Sequence, residues 1–200
     1  MILKRIETII ELNEMDINGS GAIPFSFHEN EYYFLFGRET KDVNWSDRGL
    51  YGSFGGGIKK EKEKNIDGLI REFWEETNGF FGERKVIDKY IKDNFNKILN
   101  VQSDVYRGVI LFLPVKYEPS LSKYFSFSNN FTKKILNNNK KEIEIIRNNG
   151  FLEKDKAKWM KIDDIQKNMK KFRNCEKEVI DFIIENFTQE FTDLYQIKTL

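Results

Sequence analysis

Residues 57–79 carry an unusual concentration of acidic side chains, in the stretch GIKKEKEKNIDGLIREFWEETNG. The carboxylates of interest are those of Glu63, Glu72, Glu75 and Glu76, with a single arginine, Arg71, among them. Neighbouring carboxylates on a helix surface repel each other by about 3 kcal/mol per pair at an effective dielectric constant near 20. One arginine cannot offset three or four of them, whereas an oxygen-binding divalent cation can. The spacing therefore favours a metal-binding helix over a solvated charged face.

Hydrophobic periodicity predicts that residues 65–78 form this helix, with Asn65 as its N-cap. A turn of about 100° per residue places the apolar side chains on one face. That face comprises Ile66, Leu69, Ile70, Phe73 and Thr77. The glutamates at 72, 75 and 76 share the adjoining arc, which Arg71 borders. Asn78 and Gly79 can end the helix in the left-handed conformation.

The same residues resemble the Nudix box: Gly, five residues, Glu, seven residues, Arg-Glu, an apolar residue, any residue, Glu-Glu, any residue, Gly. The matching positions are Gly57, Glu63, Arg71, Glu72, Phe73, Glu75 and Glu76. Asn78 departs from the pattern, because the family has glycine there. Asparagine tolerates the left-handed backbone almost as well as glycine does, so the departure does not threaten activity.

The resemblance implies an α/β/α sandwich around a mixed β-sheet, with residues 1–200 as one domain and a helical insertion at about 84–100. It also implies metal-dependent hydrolysis of a diphosphate linkage in a nucleoside diphosphate derivative. Glu72, Glu75 and Glu76 would bind Mg²⁺ or Mn²⁺, which neutralises pyrophosphate oxygens and activates water. Glu63 and Arg71 would orient these ligands. The glycines Gly55, Gly56 and Gly57 would let the backbone approach the phosphates.

A catalytic acid outside the box is a further expectation, because the box glutamates acting as ligands have little capacity left to accept a proton from water. The candidates after the box are Glu142, Glu144 and Glu153. Glu153 is preferred, because it lies in a short loop before a predicted strand, whereas the other two lie in a predicted helix. Glu72 is the alternative base if none of the three acts.

The elements that position these residues alternate between strands and helices, which indicates an α/β or α+β fold. Strands are predicted at 22–27 and 31–37, around a turn that includes His28, and at 106–117 and 156–162. Helices are predicted at 65–78, 84–99 and 129–149, with one or two more at 163–187. The single-domain expectation fits a chain of 200 residues.

Composition excludes several classes of protein. With 33 basic and 32 acidic residues the formal net charge is +1, so no global field marks a nucleic-acid or membrane binder. The single cysteine, Cys175, excludes an internal disulfide and is predicted to lie in the core. No apolar run reaches the roughly 18 residues of a membrane span, and the N-terminal residues lack a signal-peptide core. A cytoplasmic protein without a membrane partner is expected.

Three functions remain open at this point. The first is hydrolysis of a small nucleotide-type substrate, such as a nucleotide sugar or a nucleoside triphosphate, which the absence of a long basic arm favours. The second is hydrolysis of RNA ends or mRNA caps, and the third is a catalytically silent binding module. Trp45, Tyr51 and Trp159 are candidates for stacking on a base. The lysines at 133–134, 140–141, 154, 156, 158 and 161 are candidates for meeting a polyanion, inositol pyrophosphates included, although a solvated surface is favoured for them. The oligomeric state is left open, with a homodimer as one option.

Overall fold

The computed structural model describes residues 6–42, 44–104 and 107–187. The strands in these ranges are β1 (Gly19–His28), β2 (Glu31–Glu39), β3 (Tyr51–Gly52), β4 (Phe54–Gly57), β5 (Leu99–Ser103), β6 (Gly108–Pro114) and β7 (Lys154–Lys161). The helices are α1 (Ile9–Glu14), α2 (Asn65–Glu76), α3 (Arg84–Asn94), α4 (Leu121–Ile135), α5 (Lys140–Asn148), α6 (Ile162–Lys167) and α7 (Lys177–Asn186). Two 3-10 turns, Met169–Lys171 and Asn174–Glu176, lie between α6 and α7.

The strands of the described ranges form one seven-stranded mixed sheet with β1 at its centre. One edge of β1 pairs in parallel with β6, which pairs antiparallel with β5. The other edge pairs antiparallel with β4 along residues 19–22 and with β2 along residues 25–28. β2 continues antiparallel to β3 and, on its far edge, to β7. This arrangement brings the Gly-rich strand β4 beside the middle of the sheet.

Helices cover both faces of the sheet, because the buried side chains of the central strands alternate between two hydrophobic clusters. In β6, Val109, Leu111 and Leu113 pack with α1 to α4, whereas Ile110 and Phe112 pack with α6 and α7. The predicted α/β/α sandwich around a mixed sheet is therefore confirmed. Among the described residues, no helix is both long enough and apolar enough to cross a membrane.

Most predicted elements are present, with shifted ends. The strand pair around His28 and the box helix are confirmed, and the strand predicted at 106–117 is β6, whose predicted start at Tyr106 lies outside the described residues. The helix predicted at 84–99 ends at Asn94, because Leu99 and Asn100 belong to β5. The helical part of the expected insertion is thus α3.

Most of the stretch predicted as helical at 129–149 is helical, but it belongs to two helices. The chain forms α4, which begins at Leu121, and then α5, separated by a turn in which Asn137 and Asn138 have φ values of 50° and 55°. Asparagine adopts this left-handed conformation more readily than most residues, which interrupts the helix. The Asn139 side chain then accepts hydrogen bonds from the first backbone N–H groups of α5. Helix α1 and strand β5 had not been predicted.

Candidate metal and phosphate site

Helix α2 docks through the predicted apolar face. All five side chains of that face are buried, namely Ile66, Leu69, Ile70, Phe73 and Thr77. The prediction that Asn65 caps the helix is wrong, because Asn65 is its first residue. Instead the Asn65 amide donates to the backbone oxygens of Leu12 and Met15 at 2.7 and 2.9 Å, which ties α2 to α1. The Ile66 N–H of the first turn donates to the side-chain oxygen of Asn13 at 3.1 Å. At the other end Asn78 and Gly79 have φ values of 51° and 67°, as predicted.

Arg71 is the centre of the carboxylate cluster. Its Nε and Nη2 donate to the two oxygens of Glu63 at 2.9 and 2.7 Å, a bidentate pair. Its Nη1 donates to Glu72 at 2.6 Å and to Glu75 at 2.9 Å, and Nη2 also reaches the backbone oxygen of Gly57 at 3.1 Å. One guanidinium therefore holds three carboxylates and the end of β4 together.

The environments of these carboxylates differ. The Arg71 guanidinium holds the pKa of Glu63 below its ordinary value. Burial raises the pKa of Glu72, although Arg71 opposes this effect. The Arg71 pKa is itself raised, first by Glu63 and then by Glu72 and Glu75, so the arginine stays charged. Three carboxylates around one cation leave an excess of negative charge in a largely buried cluster.

Glu76 is held apart from this cluster. Its side chain is buried, one oxygen accepts from the Gly55 backbone N–H at 2.5 Å, and the other lies 3.0 Å from Lys154 Nζ. Burial raises the pKa of Glu76, against the attraction of Lys154. Its contacts join α2 to β4 and β7, whereas Glu72 and Glu75 contact Arg71 of the same helix.

Lys154 connects Glu76 to a second acidic residue. Its fully buried ammonium group also donates to Glu39 at 2.5 Å, and Arg173 reaches Glu39 at 3.1 Å. Burial alone would lower the pKa of Lys154, but Glu76 and Glu39 raise it above its ordinary value. Sequence reasoning missed this buried network of Glu39, Glu76, Lys154 and Arg173. Lys154 had been expected on a solvated or polyanion-binding surface, and its burial at the start of β7 shows that this expectation is wrong.

The three glycines before the box have different physical reasons to be glycine. A Cβ on Gly55 would lie 2.4 Å from Gly21 Cα, so this residue permits the close approach of β4 to β1. A Cβ on Gly56 would lie 2.5 Å from an oxygen of Glu72. A Cβ on Gly57 would meet nothing closer than 3.9 Å. Packing within the chain thus accounts for Gly55 and Gly56, and only Gly57 faces open space.

The three candidates for a base outside the box differ in burial. Glu153 is half-buried, and burial raises its pKa while Lys154 lowers it and Glu72 raises it further. Its backbone oxygen accepts a hydrogen bond from the Thr40 N–H at 2.8 Å, which holds it beside the end of β2. Glu142 and Glu144 are exposed on α5. Glu153 is therefore the one that lies close to the box carboxylates.

The donor chemistry of this cluster fits a divalent cation. Carboxylate oxygens are the preferred ligands of Mg²⁺ and Mn²⁺, and Glu63, Glu72 and Glu75 outnumber Arg71 three to one. In residues 6–42, 44–104 and 107–187, however, no three acidic, histidine or cysteine side chains converge as a metal-binding group. The carboxylates turn toward Arg71 instead, so cation binding requires Glu72 and Glu75 to exchange this partner.

The remaining candidates have ordinary surroundings, with one exception. Trp159 is buried and donates to the Glu118 backbone oxygen at 3.0 Å, and Tyr51 packs beside Phe172. His28 is exposed, as predicted, and stacks on Tyr117. Cys175 is only half-buried, and burial raises the pKa of its thiol. The exception is Trp45, whose side chain remains 45% exposed.

Comparisons with known proteins find similarity only among solved structures. No protein-family model matches the chain, and no curated protein matches it. Among solved structures, the chain is similar to the NUDIX domain of Shewanella oneidensis NrtR, solved in complex with ADP ribose. The similarity covers 88% of this chain and 90% of that one, at 12% sequence identity and a TM-score of 0.44. Similarity at this level leaves the activity of the chain to its own residues.

Proposed function

We propose that this protein hydrolyses a diphosphate linkage in a nucleoside diphosphate derivative, using Mg²⁺ or Mn²⁺. The observation that carries the proposal is the cluster around Arg71. Three carboxylates on and before α2 share its guanidinium group, at the end of the Gly-rich strand β4. A pyrophosphate with its divalent cation has the size and charge to use such a cluster.

A bound Mg²⁺ or Mn²⁺ would neutralise the phosphate oxygens and polarise a water molecule. Glu72 and Glu75 are the proposed ligands, and Glu63 keeps Arg71 oriented through its bidentate contact. If Glu72 and Glu75 hold the cation, the Nη1 donor of Arg71 would become free for a phosphate oxygen. Glu76, expected from the sequence as a third ligand, has its two oxygens on Gly55 and Lys154 and holds β4 beside α2.

Glu153 is the proposed acceptor of the proton that the attacking water releases. Its half-buried position beside the box carboxylates supports this role, because a general base must lie within one hydrogen bond or one water of the proton it removes. Glu72 is the alternative within the box.

The test is a panel of diphosphate substrates incubated with the purified chain and Mg²⁺, Mn²⁺ or EDTA, with product masses measured in ¹⁸O-labelled water. The panel contains nucleotide sugars, ADP-ribose among them, nucleoside triphosphates, inositol pyrophosphates and capped RNA. We expect cation-dependent hydrolysis of a small nucleotide substrate. Loss of a ligand removes several kcal/mol of charge stabilisation, so Glu75→Gln should slow the reaction by about 100-fold or more.

The matched control is Glu61→Gln, which changes an exposed glutamate two residues before Glu63. It should retain the wild-type rate. Hydrolysis of capped RNA alone would assign the site to RNA ends. Nucleotide binding without hydrolysis of any compound would contradict the proposal and indicate a binding module.

A further inference from the structure

A cavity of about 700 Å³ lies beside the box, between the loop that follows β2 and the helices α4 and α5. Its walls combine an exposed aromatic ring with basic side chains. The residues that carry the following argument are Asp42, Trp45, Lys133, Lys140 and Arg147. None of them belongs to the cluster around Arg71 or to the network of Lys154.

Arg147 has an unused pair of donors in this cavity. Its Nε and Nη2 atoms are buried and have no hydrogen-bond partner in the described part of the chain. Leaving such donors unsatisfied costs free energy, and buried polar groups in folded proteins are rarely left so. The side chain therefore has an unmet requirement for two acceptors.

The same two atoms are filled in other arginines of this protein. In Arg38, Nε and Nη2 donate to the two oxygens of Asp155 at 2.7 and 2.9 Å. In Arg71 they donate to the two oxygens of Glu63 at 2.9 and 2.7 Å. This edge of a guanidinium matches two oxygens of one carboxylate or phosphate. The group that Arg147 lacks is therefore an oxyanion.

Asp42, one of two acidic residues in the cavity lining, does not supply it. Asp42 forms its ion pair with Lys133. Lys133, and more weakly Arg147, hold the pKa of Asp42 below its ordinary value. Glu144 also lines the cavity, so the basic side chains of Lys133, Lys140 and Arg147 exceed the acidic ones by one charge. Trp45 contributes an exposed ring, on which a planar heterocycle can stack.

Two segments lead from the cavity to the box. On one side, Gly150 follows Arg147 by three residues, and a Cβ on Gly150 would lie 2.3 Å from an oxygen of Glu75. On the other side, Asp42 follows Thr40, whose N–H donates to the Glu153 backbone oxygen. Two short segments thus connect the cavity lining to residues beside the box carboxylates.

We propose that this cavity binds the nucleoside monophosphate part of the substrate, with Arg147 donating Nε and Nη2 to its phosphate and Trp45 stacking on its base. This assignment of the ligand as part of a substrate rests on the proposed function, whereas the binding itself does not require catalysis. The base lies away from α2, and the phosphate lies toward Glu75, where the scissile linkage begins.

The test is binding of AMP to the full chain in EDTA, measured by calorimetry and by quenching of tryptophan fluorescence. We expect wild-type protein to bind AMP with quenching. Loss of the charged hydrogen bonds in Arg147→Gln should weaken binding by about tenfold or more. Trp45→Leu should weaken it by about tenfold and remove the quenching. Inorganic phosphate and ribose 5-phosphate should bind more weakly than AMP, since both lack the base.

Matched controls and a second variant keep the result interpretable. Arg48→Gln changes an exposed arginine of the same loop, and Tyr124→Leu changes an exposed aromatic residue of α4 outside the cavity lining. Both should bind AMP as wild type does. Arg147→Lys keeps the charge and lacks the paired donors, so it should resemble Arg147→Gln. If Arg147→Gln does not fold, Arg147→Lys serves in its place.

The outcomes separate this inference from the proposed function. If AMP binds Arg147→Gln and Trp45→Leu as tightly as wild type while the substrate panel is hydrolysed normally, the cavity assignment is wrong and the activity stands. If AMP binding depends on both residues and no substrate is hydrolysed, the cavity assignment stands as a ligand site and the activity fails. Ribose 5-phosphate binding as tightly as AMP would overturn the role of Trp45.

Discussion

At the scale of single residues, Arg71 and Lys154 hold two separate groups of acidic side chains, and only the group held by Arg71 can change its partner. Arg71 contacts Glu63, Glu72 and Glu75 at the rim of a largely buried cluster, where a bound cation can replace it. Lys154 is completely buried between Glu39 and Glu76. Water cannot reach this buried ammonium group to replace it. Glu39 and Glu76 therefore keep their contacts with Lys154 in the folded protein.

Lys154→Met should therefore destabilise the protein strongly. Removing one partner of a buried ion pair leaves uncompensated charge, and the expected loss is about 3–5 kcal/mol in the free energy of unfolding, measured by urea denaturation. Lys158→Met is the control, because Lys158 is exposed on the same strand, and its effect should stay within about 0.5 kcal/mol.

The double variant Lys154→Met/Glu76→Gln separates loss of charge balance from loss of packing. It removes a negative charge together with the positive one, so it should be more stable than Lys154→Met alone. Equal stability of Lys154→Met and wild type would show that Glu39 and Glu76 do not need the ammonium group.

At the scale of elements, the contacts of β4 with β1 and α2 predict that alanine at three successive glycines will affect stability and hydrolysis rate to different extents. Gly55→Ala forces two backbones apart and should cost about 1–3 kcal/mol or more of stability. Gly56→Ala meets the movable end of Glu72, so stability should change little while the hydrolysis rate falls. Gly57→Ala should be neutral for stability, because its Cβ has space.

Thermal melts and hydrolysis rates of the three variants provide the measurement, with Gly57→Ala as the internal control. A Gly56→Ala protein with normal activity would show that the position of Glu72 is unimportant for the reaction. A Gly55→Ala protein as stable as wild type would contradict the tight packing of β4 on β1.

The elements and the box could be predicted because their information is local. Helical periodicity places Arg71 beside Glu72 and Glu75, and the resemblance to the Nudix box implies that Glu63 is a further partner. Long-range contacts were not predictable. Glu39 meets Lys154 across 115 residues and Arg173 across 134.

Two differences between the predicted and observed helices have different physical causes. Asn65 has the side chain of a typical cap, but α1 offers it backbone oxygens that no local rule anticipates. The turn between α4 and α5 depends on left-handed asparagines within an otherwise helical pattern. The unused donors of Arg147 become apparent only when α5 and the loop after β2 enclose the cavity.

At the scale of the whole molecule, charge is balanced overall and unbalanced at the site. The formal net charge is +1, yet the carboxylates around Arg71 outnumber their cation three to one. A ligand that binds only the folded state stabilises it, by about 2.7 kcal/mol at a concentration 100 times its Kd. Saturating Mg²⁺ should thus raise Tm by roughly 5–10 °C in a chain of this size, and EDTA should reverse the shift.

This thermal shift is measured against NaCl of equal ionic strength, which should produce little change. The double variant Glu72→Gln/Glu75→Gln should lose the Mg²⁺ response, because it lacks two proposed ligands. An equal shift in that variant would place the cation elsewhere on the protein.

The long separation between Glu39 and Lys154 also governs how the chain is made. At roughly 5–20 residues per second, the ribosome adds Lys154 about 6–23 s after Glu39, a distance of 115 residues. During that interval the edge of β2 that later receives β7 has no partner, and Glu39 stays hydrated there. A charge on an open strand edge discourages pairing with another chain. The residue that Lys154 neutralises in the finished protein thus keeps a charge on the open edge of β2 until β7 is made.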